Sequence, residues 1–285
     1  MDTEAESAVV LKVSCPDRPG IVAAVATVIA GAGGNILESS QFNDRDTGWF
    51  FMRVRFTVAD AARVETAFAP EARRLGMEWH MQSDHRRGRV LLLVSRLDHC
   101  LVDLLYQWRT GSIPMEVVGV ASNHDDLRPL VEAHGLPYHH LPVTPETRPR
   151  QEAALRDLIA ASGAELVVLA RYMQILSDQL AGELEGRAIN IHHSFLPGFK
   201  GARPYHQAHA RGVKLIGATA HYVTSALDEG PIIEQDVQRV THADGPASLA
   251  EIGRHLEARA LARAVRWHLE QRVFLNGTKT VVFRY

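Results

Sequence analysis

Val90-Leu-Leu-Leu-Val94 is a continuous apolar run, and it decides the fold of most of this 285-residue chain. A run without polar alternation suits a strand that is buried on both faces, as in a parallel sheet covered by helices. The flanking sequence repeats this pattern, with helices predicted at 99–109, 127–134 and 150–162 and strands at 115–121, 137–141 and 166–170. Strands that alternate with helices predict an α/β fold with a doubly wound, mostly parallel sheet.

A different pattern precedes this sheet. Strands are predicted at 8–14, 35–42, 49–58 and 77–81, and helices at 21–30 and 59–75. This β-α-β-β-α-β order is the ferredoxin-like unit. The polar stretch 80–88 ends in glycine and indicates a linker. We therefore predict two domains, one at 1–84 for regulation or assembly and a catalytic one at 85–285.

Composition narrows the class of protein. Lys plus Arg total 31 and Asp plus Glu total 33, so the net charge of −2 indicates no nucleic-acid or membrane-surface partner. With only Cys15 and Cys100, neither a disulfide framework nor a zinc-finger spacing exists, which favours a reducing compartment. No stretch approaches the roughly 18 apolar residues of a membrane span, and the first residues are acidic where a signal peptide would be basic. We expect a cytoplasmic protein without a membrane partner.

Polar side chains gather at the end of one short apolar strand, at 188–192. Asn190 and His192 lie two positions apart, so their side chains point to the same face of the strand. The next strand, at 215–224, leads into a loop that carries Asp228. An asparagine amide can donate to a developing oxyanion, a histidine can move a proton, and an aspartate can orient the histidine or a water. These residues predict acyl transfer, and no G-x-S-x-G motif supplies a serine nucleophile.

Other histidines are weaker candidates. The spacing of His206, His209 and His221 matches no zinc-ligand pattern, so no metal is expected. His193 lies on the strand face opposite His192, and we expect it to be structural. Cys100 begins a helix, and we expect it to be a small buried hydrophobe.

The N-terminal domain resembles a known family. Asp17-Arg-Pro-Gly20, the helix after it and Gly34-Asn35-Ile36 resemble an ACT domain. The resemblance implies pairing with a second copy, hence a homo-oligomer, and binding of a small amino acid such as glycine or methionine. Asp17, Gly20 and Asn35 are then the candidate effector residues. The same residues serve equally well as turn chemistry, so an assembly role without an effector stays open.

The second domain also resembles a family. Asn190-Ile-His-His-Ser-Phe-Leu-Pro197 together with Leu227-Asp-Glu-Gly-Pro-Ile232 resembles the formyltransferase fold that uses 10-formyltetrahydrofolate, which implies that Asn190, His192 and Asp228 are catalytic. The stretch 169–177 resembles the segment that lines the pterin pocket. The implied substrate-binding residues are Arg171, Tyr172, Met173, Gln174, Ile175, Leu176 and Gly230. With an ACT domain ahead of it, nearly the whole chain is similar to the formyltetrahydrofolate deformylase family of folate-dependent one-carbon metabolism.

The loop after the site is a further candidate region. Lys200, Arg203 and Tyr205 lie in a stretch rich in glycine and proline. They would meet the glutamate tail of the folate or be solvated.

The acceptor of the formyl group follows from a departure from the family pattern. Transferases that act on a glycinamide nucleotide resemble this domain but carry a glycine-rich loop after the first strand for the phosphate. Here that place is Ser95-Arg-Leu-Asp-His-Cys100, which has no glycine and in which Asp98 would repel a phosphate. Water is then the acceptor. The expected reaction is hydrolysis of 10-formyltetrahydrofolate to formate and tetrahydrofolate, with the folate as substrate and no cofactor.

Two alternatives stay open. A formyltransferase to a sugar amine, a nucleotide or an aminoacyl-tRNA would use the same residues, although a tRNA enzyme would want a further basic domain. A non-catalytic amino-acid-binding regulator would have no need of Asn190, His192 and Asp228 together. The sequence also leaves open whether Asp228 or His192 takes the proton of the attacking water.

Overall fold

The computed structural model describes residues 7–198 and 204–284, and the chain divides into two compact units. The first unit extends to Arg86 and also includes Glu270–Asn276 and the chain from Thr280; the second comprises Arg87–Leu269 and Gly277–Lys279. The sequence prediction placed the boundary at 84–85 and left all C-terminal residues in the second domain. The structure differs there, because most residues after Leu269 pack on the sheet of the first unit.

The first unit has the predicted β-α-β-β-α-β order. Its elements are β1 (Ser7–Pro16), α1 (Ile21–Gly31), β2 (Asn35–Asp44), β3 (Trp49–Val58), α2 (Ala61–Leu75) and β4 (Glu78–Ser83). The strands form an antiparallel sheet in the order β2-β3-β1-β4, so β2 and β4 are its edges. The predicted linker shrinks to 84–87, because β4 and the next strand extend into it.

The second unit is the predicted α/β domain. Its elements are β5 (Gly88–Val94), α3 (His99–Arg109), β6 (Met115–Ser122), α4 (Arg128–Glu132), β7 (Tyr138–His140), α5 (Arg148–Ser162), β8 (Leu166–Leu169), α6 (Asp178–Glu183), β9 (Ala188–His192), α7 (Pro204–Arg211), β10 (Leu215–Tyr222), β11 (Ile232–Arg239) and α8 (Pro246–Leu269). The chain then forms β12 (Val273–Asn276) and β13 (Lys279–Val282), which pair with each other. The prediction contained no α6, α7, β11, α8, β12 or β13.

The seven-stranded sheet explains the apolar run that opens the second unit. Its strand order is β11-β10-β9-β8-β5-β6-β7, and β5 pairs in parallel with both neighbours. A central parallel strand has no free edge and is covered on both faces, so Leu91, Leu92 and Leu93 are all fully buried. The strands from β9 to β7 run parallel, whereas β10 and β11 turn antiparallel at one edge. The mostly parallel sheet is thus confirmed.

The C-terminal strands cover the sheet face of the first unit that its helices leave open. Phe51 alternates with the residues that face the helices, and its ring lies 5.6 Å from that of Phe274 on β12. Lys12 donates to the carbonyl oxygen of Val273 at 2.5 Å. Arg53 is 1% exposed and donates to the carbonyl oxygen of Glu270 at 3.1 Å. The chain itself thus covers part of this face, and the pairing with a second copy that the resemblance implies stays a prediction.

Two local features shape the loops of the first unit. A hairpin joins β2 and β3, with the Gly48 N–H bonded to the Asp44 carbonyl oxygen at 2.8 Å. α1 begins after Gly20, which lies in the left-handed region (φ 94°), and the start of this helix has no side-chain cap. Among the described residues, no helix is both long and apolar enough to cross a membrane.

Candidate active site

Strand β9 positions two of the predicted catalytic residues. Asn190 and His192 share one face of the strand, and His192 is only 5% exposed. β9 pairs in parallel with β8, where Asn190 lies opposite Leu169, and antiparallel with β10, where Asn190 lies opposite His221. The segment after β8 therefore starts beside Asn190, whereas β10 passes His192 and Asn190 and ends opposite Ile189, near the start of β9.

Asp228 reaches His192 from the loop after β10. Its Oδ2 lies 3.2 Å from Nδ1 of His192, and its Oδ1 lies 3.7 Å from Nε2 of His221. Burial by itself raises the pKa of Asp228, but the hydrogen bond from His192 and the adjacent imidazole of His221 outweigh burial and hold that pKa well below its usual range. The carboxylate therefore stays ionised at neutral pH. Its backbone is left-handed (φ 57°), a costly conformation for a residue with a side chain and one found at functional sites.

The hydrogen bonds determine which atom of each ring is available to a substrate. Nδ1 of His192 donates to Asp228, since a carboxylate only accepts, and its Nε2 is buried without a hydrogen-bond partner in the described chain. Nδ1 of His221 donates to the carbonyl oxygen of Tyr222 at 2.8 Å, so its Nε2 accepts from Nδ2 of Asn190 at 3.2 Å. That contact orients the Asn190 amide. His192 Nε2 and this amide are the groups left to meet a formyl group.

A cavity of about 330 Å³ opens onto these residues. It is lined by Asn190, His192 and Asp228 and by the six predicted pocket residues after β8, namely Arg171, Tyr172, Met173, Gln174, Ile175 and Leu176. The Met173 N–H donates to Oγ of Ser95 at 2.9 Å, which attaches this segment to the end of β5. Met173 and Ile175 are 57% and 55% exposed, and such apolar side chains suit a flat ring system.

Gly230 takes a different place from the other predicted pocket residues. It is buried and is not among the residues that line the cavity. A Cβ at this position would lie 1.8 Å from the carbonyl oxygen of Tyr222, so only glycine lets the loop close against the end of β10. Gly230 therefore shapes the loop that carries Asp228.

Sequence reasoning missed a buried polar cluster beside the site. Glu257 on α8 is 1% exposed, and its carboxylate accepts from the Tyr205 hydroxyl at 2.6 Å and contacts Nε2 of His99 at 2.8 Å. His99, Cys100 and Glu257 bring their ligand atoms within 4.8 Å of one another, as metal ligands would. Nε of Arg171, however, lies 3.3 Å from the same carboxylate, so a guanidinium already supplies the cation. Burial raises the pKa of Cys100 well above its usual value, and the residue behaves as the expected small buried hydrophobe.

Among the described candidates, Tyr205, His206 and His209 do not line this cavity. Lys200 and Arg203 fall outside the residues that the structure describes. Tyr205, which was expected to meet the folate tail or solvent, instead binds Glu257. His206 and His209 are exposed on α7.

Two of the predicted effector residues, Asp17 and Gly20, lie in the loop between β1 and α1, and the third, Asn35, begins β2. Asp17, Gly20 and Asn35 are all exposed. The backbone N–H of Asp17 donates to the carbonyl oxygen of Gly48 at 2.8 Å, and this bond fixes the position of the loop.

Comparison with known proteins agrees with the predicted fold. The formyl transferase family model matches residues 88–265, and the ACT domain model matches residues 9–68. A formyltetrahydrofolate deformylase of Corynebacterium sp. (strain P-1) is 53% identical over 281 residues, which are 96% of this chain and 98% of that protein. The deformylase of Bacillus subtilis (strain 168) is 46% identical over 96% of this chain and 93% of its own.

A solved structure is similar over the same extent. The crystal structure of a formyltetrahydrofolate deformylase from Burkholderia mallei superposes with a TM-score of 0.93 at 51% identity, covering 97% of this chain and 99% of that chain. The similarity extends over both units, and the chain belongs to the formyltetrahydrofolate deformylase family.

Proposed function

We propose that this chain hydrolyses 10-formyltetrahydrofolate to formate and tetrahydrofolate. The observation that carries the proposal is the convergence of Asn190, His192 and Asp228 on one cavity, with His192 Nε2 buried and unpartnered at that place. The relatives that match the chain over both units have the same named activity. The chain is thus a hydrolase that acts on an N-formyl group.

The geometry supports His192 as the residue that moves the proton. Base strength follows pKa, and the pKa of Asp228 is held too low for its carboxylate to compete for a water proton. In our mechanism His192 Nε2 accepts a proton from water as the water oxygen attacks the formyl carbon. Asp228 stabilises the imidazolium that forms, and the Asn190 amide donates to the oxyanion. His192 then returns the proton to N10 as the carbon–nitrogen bond breaks, which leaves tetrahydrofolate and formic acid, and the acid releases its proton to solvent as formate.

The loop after β5 supports water over a larger acceptor. It runs from Ser95 to Asp98 without a glycine, and Asp98 places a carboxylate where a phosphate would bind. His99, the first residue of α3, contacts the buried carboxylate of Glu257. The proposed reaction needs only the folate and water, so we propose no cofactor and no metal.

The test is formate release by the purified chain from 10-formyltetrahydrofolate without any amine. We expect stoichiometric formate and tetrahydrofolate. Turnover that starts only when an amine is added would favour the formyltransferase alternative. No turnover with or without an amine would favour the non-catalytic regulator.

We further propose that the ACT unit binds a small amino acid, such as glycine or methionine, at Asp17, Gly20 and Asn35. Because no side chain caps α1, its first N–H groups are available to a carboxylate, and Asp17 can meet an ammonium group. Binding would regulate activity only if the amino acid favours one of two conformations. Calorimetric titration with millimolar glycine and methionine tests this, and no heat together with unchanged formate release would leave an assembly role alone. We propose a homo-oligomer formed through this unit and a cytoplasmic location.

A further inference from the structure

Glu257 is a charged side chain at a place where charge is costly. It is 1% exposed on α8 and has three partners, namely the Tyr205 hydroxyl at 2.6 Å, Nε2 of His99 at 2.8 Å and Nε of Arg171 at 3.3 Å. Burial raises the pKa of Glu257, but these partners outweigh burial and lower it. A buried carboxylate is stable only when it is paired, so Glu257 and its three partners fix one another's positions.

Arg171 extends this cluster toward the active site. Its backbone is left-handed (φ 65°), and its carbonyl oxygen accepts from the Ser95 N–H at 3.2 Å. Its Nη1 donates to Nδ1 of His193 at 2.5 Å. A guanidinium has no acceptor, so Nδ1 of His193 must accept, and the neutral ring carries its proton on Nε2.

His193 was expected on the strand face opposite His192, but it follows the end of β9 at His192, and its ring stacks on the ring of His192. The rings of His192 and His193 have centroids 5.0 Å apart and planes inclined by 24°. The charged or titratable groups that act on His193 are Arg171, His192, Glu257 and Asp228. Burial, followed by the charges of Arg171 and His192, lowers the pKa of His193 to about 4. At neutral pH the stacked partner of His192 is therefore uncharged.

We infer that Glu257 is a positioning residue for the hydrolysis. By anchoring Arg171 it keeps His193 as a hydrogen-bond acceptor at Nδ1, and His193 is the flat surface against which the ring of His192 is aligned. Only one ring of the stacked pair then takes up the proton of the attacking water. This inference rests on the proposed function, in which His192 Nε2 moves that proton.

Kinetics of Glu257→Gln test the inference. The substitution keeps the volume and removes the charge that anchors Arg171. We expect kcat for formate release to fall by about 10²-fold, because a small displacement of a reacting group has that effect, with KM little changed. Glu251→Gln is the matched control, since Glu251 is an exposed residue of the same helix, and its kinetics should equal those of the wild type. A folded Glu257→Gln enzyme with wild-type kcat, or with only KM altered, would overturn the inference.

A spectroscopic readout separates positioning from general damage. The ¹⁵N shifts of the His193 ring, assigned by comparison with His193→Gln, should show a single Nε2–H tautomer in the wild type and a mixture of tautomers in Glu257→Gln. An Nδ1–H tautomer in the wild type, or an unchanged tautomer in a slow Glu257→Gln enzyme, contradicts the route through His193. This measurement needs no turnover, so it stands even if the proposed function fails.

A second variant covers the case in which Glu257→Gln does not fold. His193→Phe keeps a flat buried ring beside His192 but cannot accept from Arg171. We expect the same fall in kcat, about 10²-fold, in a folded protein. Wild-type kcat in that variant would overturn the inference.

Discussion

In the candidate active site, the partner of each histidine fixes which ring nitrogen carries the proton. Asp228 accepts and cannot donate, so Nδ1 of His192 carries the proton between them. The Tyr222 carbonyl likewise places the proton of His221 on Nδ1, which leaves Nε2 to orient the Asn190 amide. The donor and the acceptor that face the cavity are therefore set before substrate arrives.

Removal of either group should slow turnover without unfolding the protein. We expect His192→Ala to lower kcat by about 10²–10⁴-fold, the usual contribution of a positioned acid–base group. Asn190→Ala should cost about 10²–10³-fold if its amide meets the oxyanion. Formate release at saturating substrate is the measurement, and His255→Ala, an exposed histidine of α8, is the control. Near-normal release by His192→Ala would remove His192 from the mechanism.

The buried imidazole of His193 should make the stability of the protein depend on pH. Burial and the Arg171 charge lower its pKa to about 4 in the folded chain, below the ordinary value of 6.5. The unfolded chain therefore binds a proton that the folded chain does not, and stability falls as pH falls from about 6.5 toward 4. The contribution reaches about 3 kcal/mol at pH 4.

Urea unfolding between pH 4 and pH 7 tests this dependence. His193→Gln keeps an acceptor for Arg171 but does not titrate. We expect the variant to lose less stability than the wild type over this pH range, by up to about 3 kcal/mol. Parallel curves for the two proteins would show that His193 is not the group that titrates.

At the scale of elements, the antiparallel pairing of β10 with β9 places two groups of the site, His221 and Asp228. A parallel β10 would bring different residues beside β9, whereas the antiparallel register sets His221 opposite Asn190. β10 ends opposite Ile189, near the start of β9, and the loop that follows brings Asp228 to His192. The candidate catalytic groups thus meet where the sheet changes from parallel to antiparallel pairing, between β9 and β10.

The C-terminal strands are a structural part of the first unit, and Phe274 on β12 is their main apolar contact. Phe274 is 2% exposed, and its ring lies 5.6 Å from those of Phe51 and Phe283. We expect Phe274→Ala to lower the free energy of unfolding of this unit by about 3–5 kcal/mol. Thermal denaturation is the measurement. Leu275→Ala is the matched control, because Leu275 is 44% exposed, and an equal loss in both variants would contradict the packing.

At the scale of the whole molecule, the chain passes between the two units more than once. It leaves the first unit after Arg86 and returns at Glu270, directly after α8. A truncation that starts near Arg89 would therefore remove the sheet on which Phe274 packs and leave that side chain uncovered. Assembly through the first unit is better tested by surface substitution than by truncation.

Strand β2 is the surface to substitute. It is an edge of its sheet, and Leu37 and Phe42 are 48% and 45% exposed on it. Exposed apolar edge strands tend to pair with another chain. We expect Leu37→Lys combined with Phe42→Lys to reduce the oligomer size measured by light scattering. Val22→Lys, an exposed apolar position on α1, should leave the size unchanged, and an unaltered size in the β2 variant would exclude this edge.

The sequence by itself determined the features that depend on neighbours along the chain. The apolar run at 90–94 predicted a strand buried on both faces, and the structure confirms it because this strand is central in the sheet. The two-residue spacing of Asn190 and His192 predicted a shared face, since strand periodicity is local. Asp228 and the segment 171–176 were found through loop position and resemblance, and the structure brings both to one cavity.

Only the tertiary structure decided the partners of buried charges. Glu257 in a helix and Arg53 in an alternating strand belong to residue types that usually face solvent, so no local pattern predicts their burial. His221 meets Asn190 only because β10 is antiparallel, and β12 covers the first sheet only because the chain returns to it. These contacts join residues far apart in sequence. Their energies depend on which elements become neighbours, which periodicity and spacing do not encode.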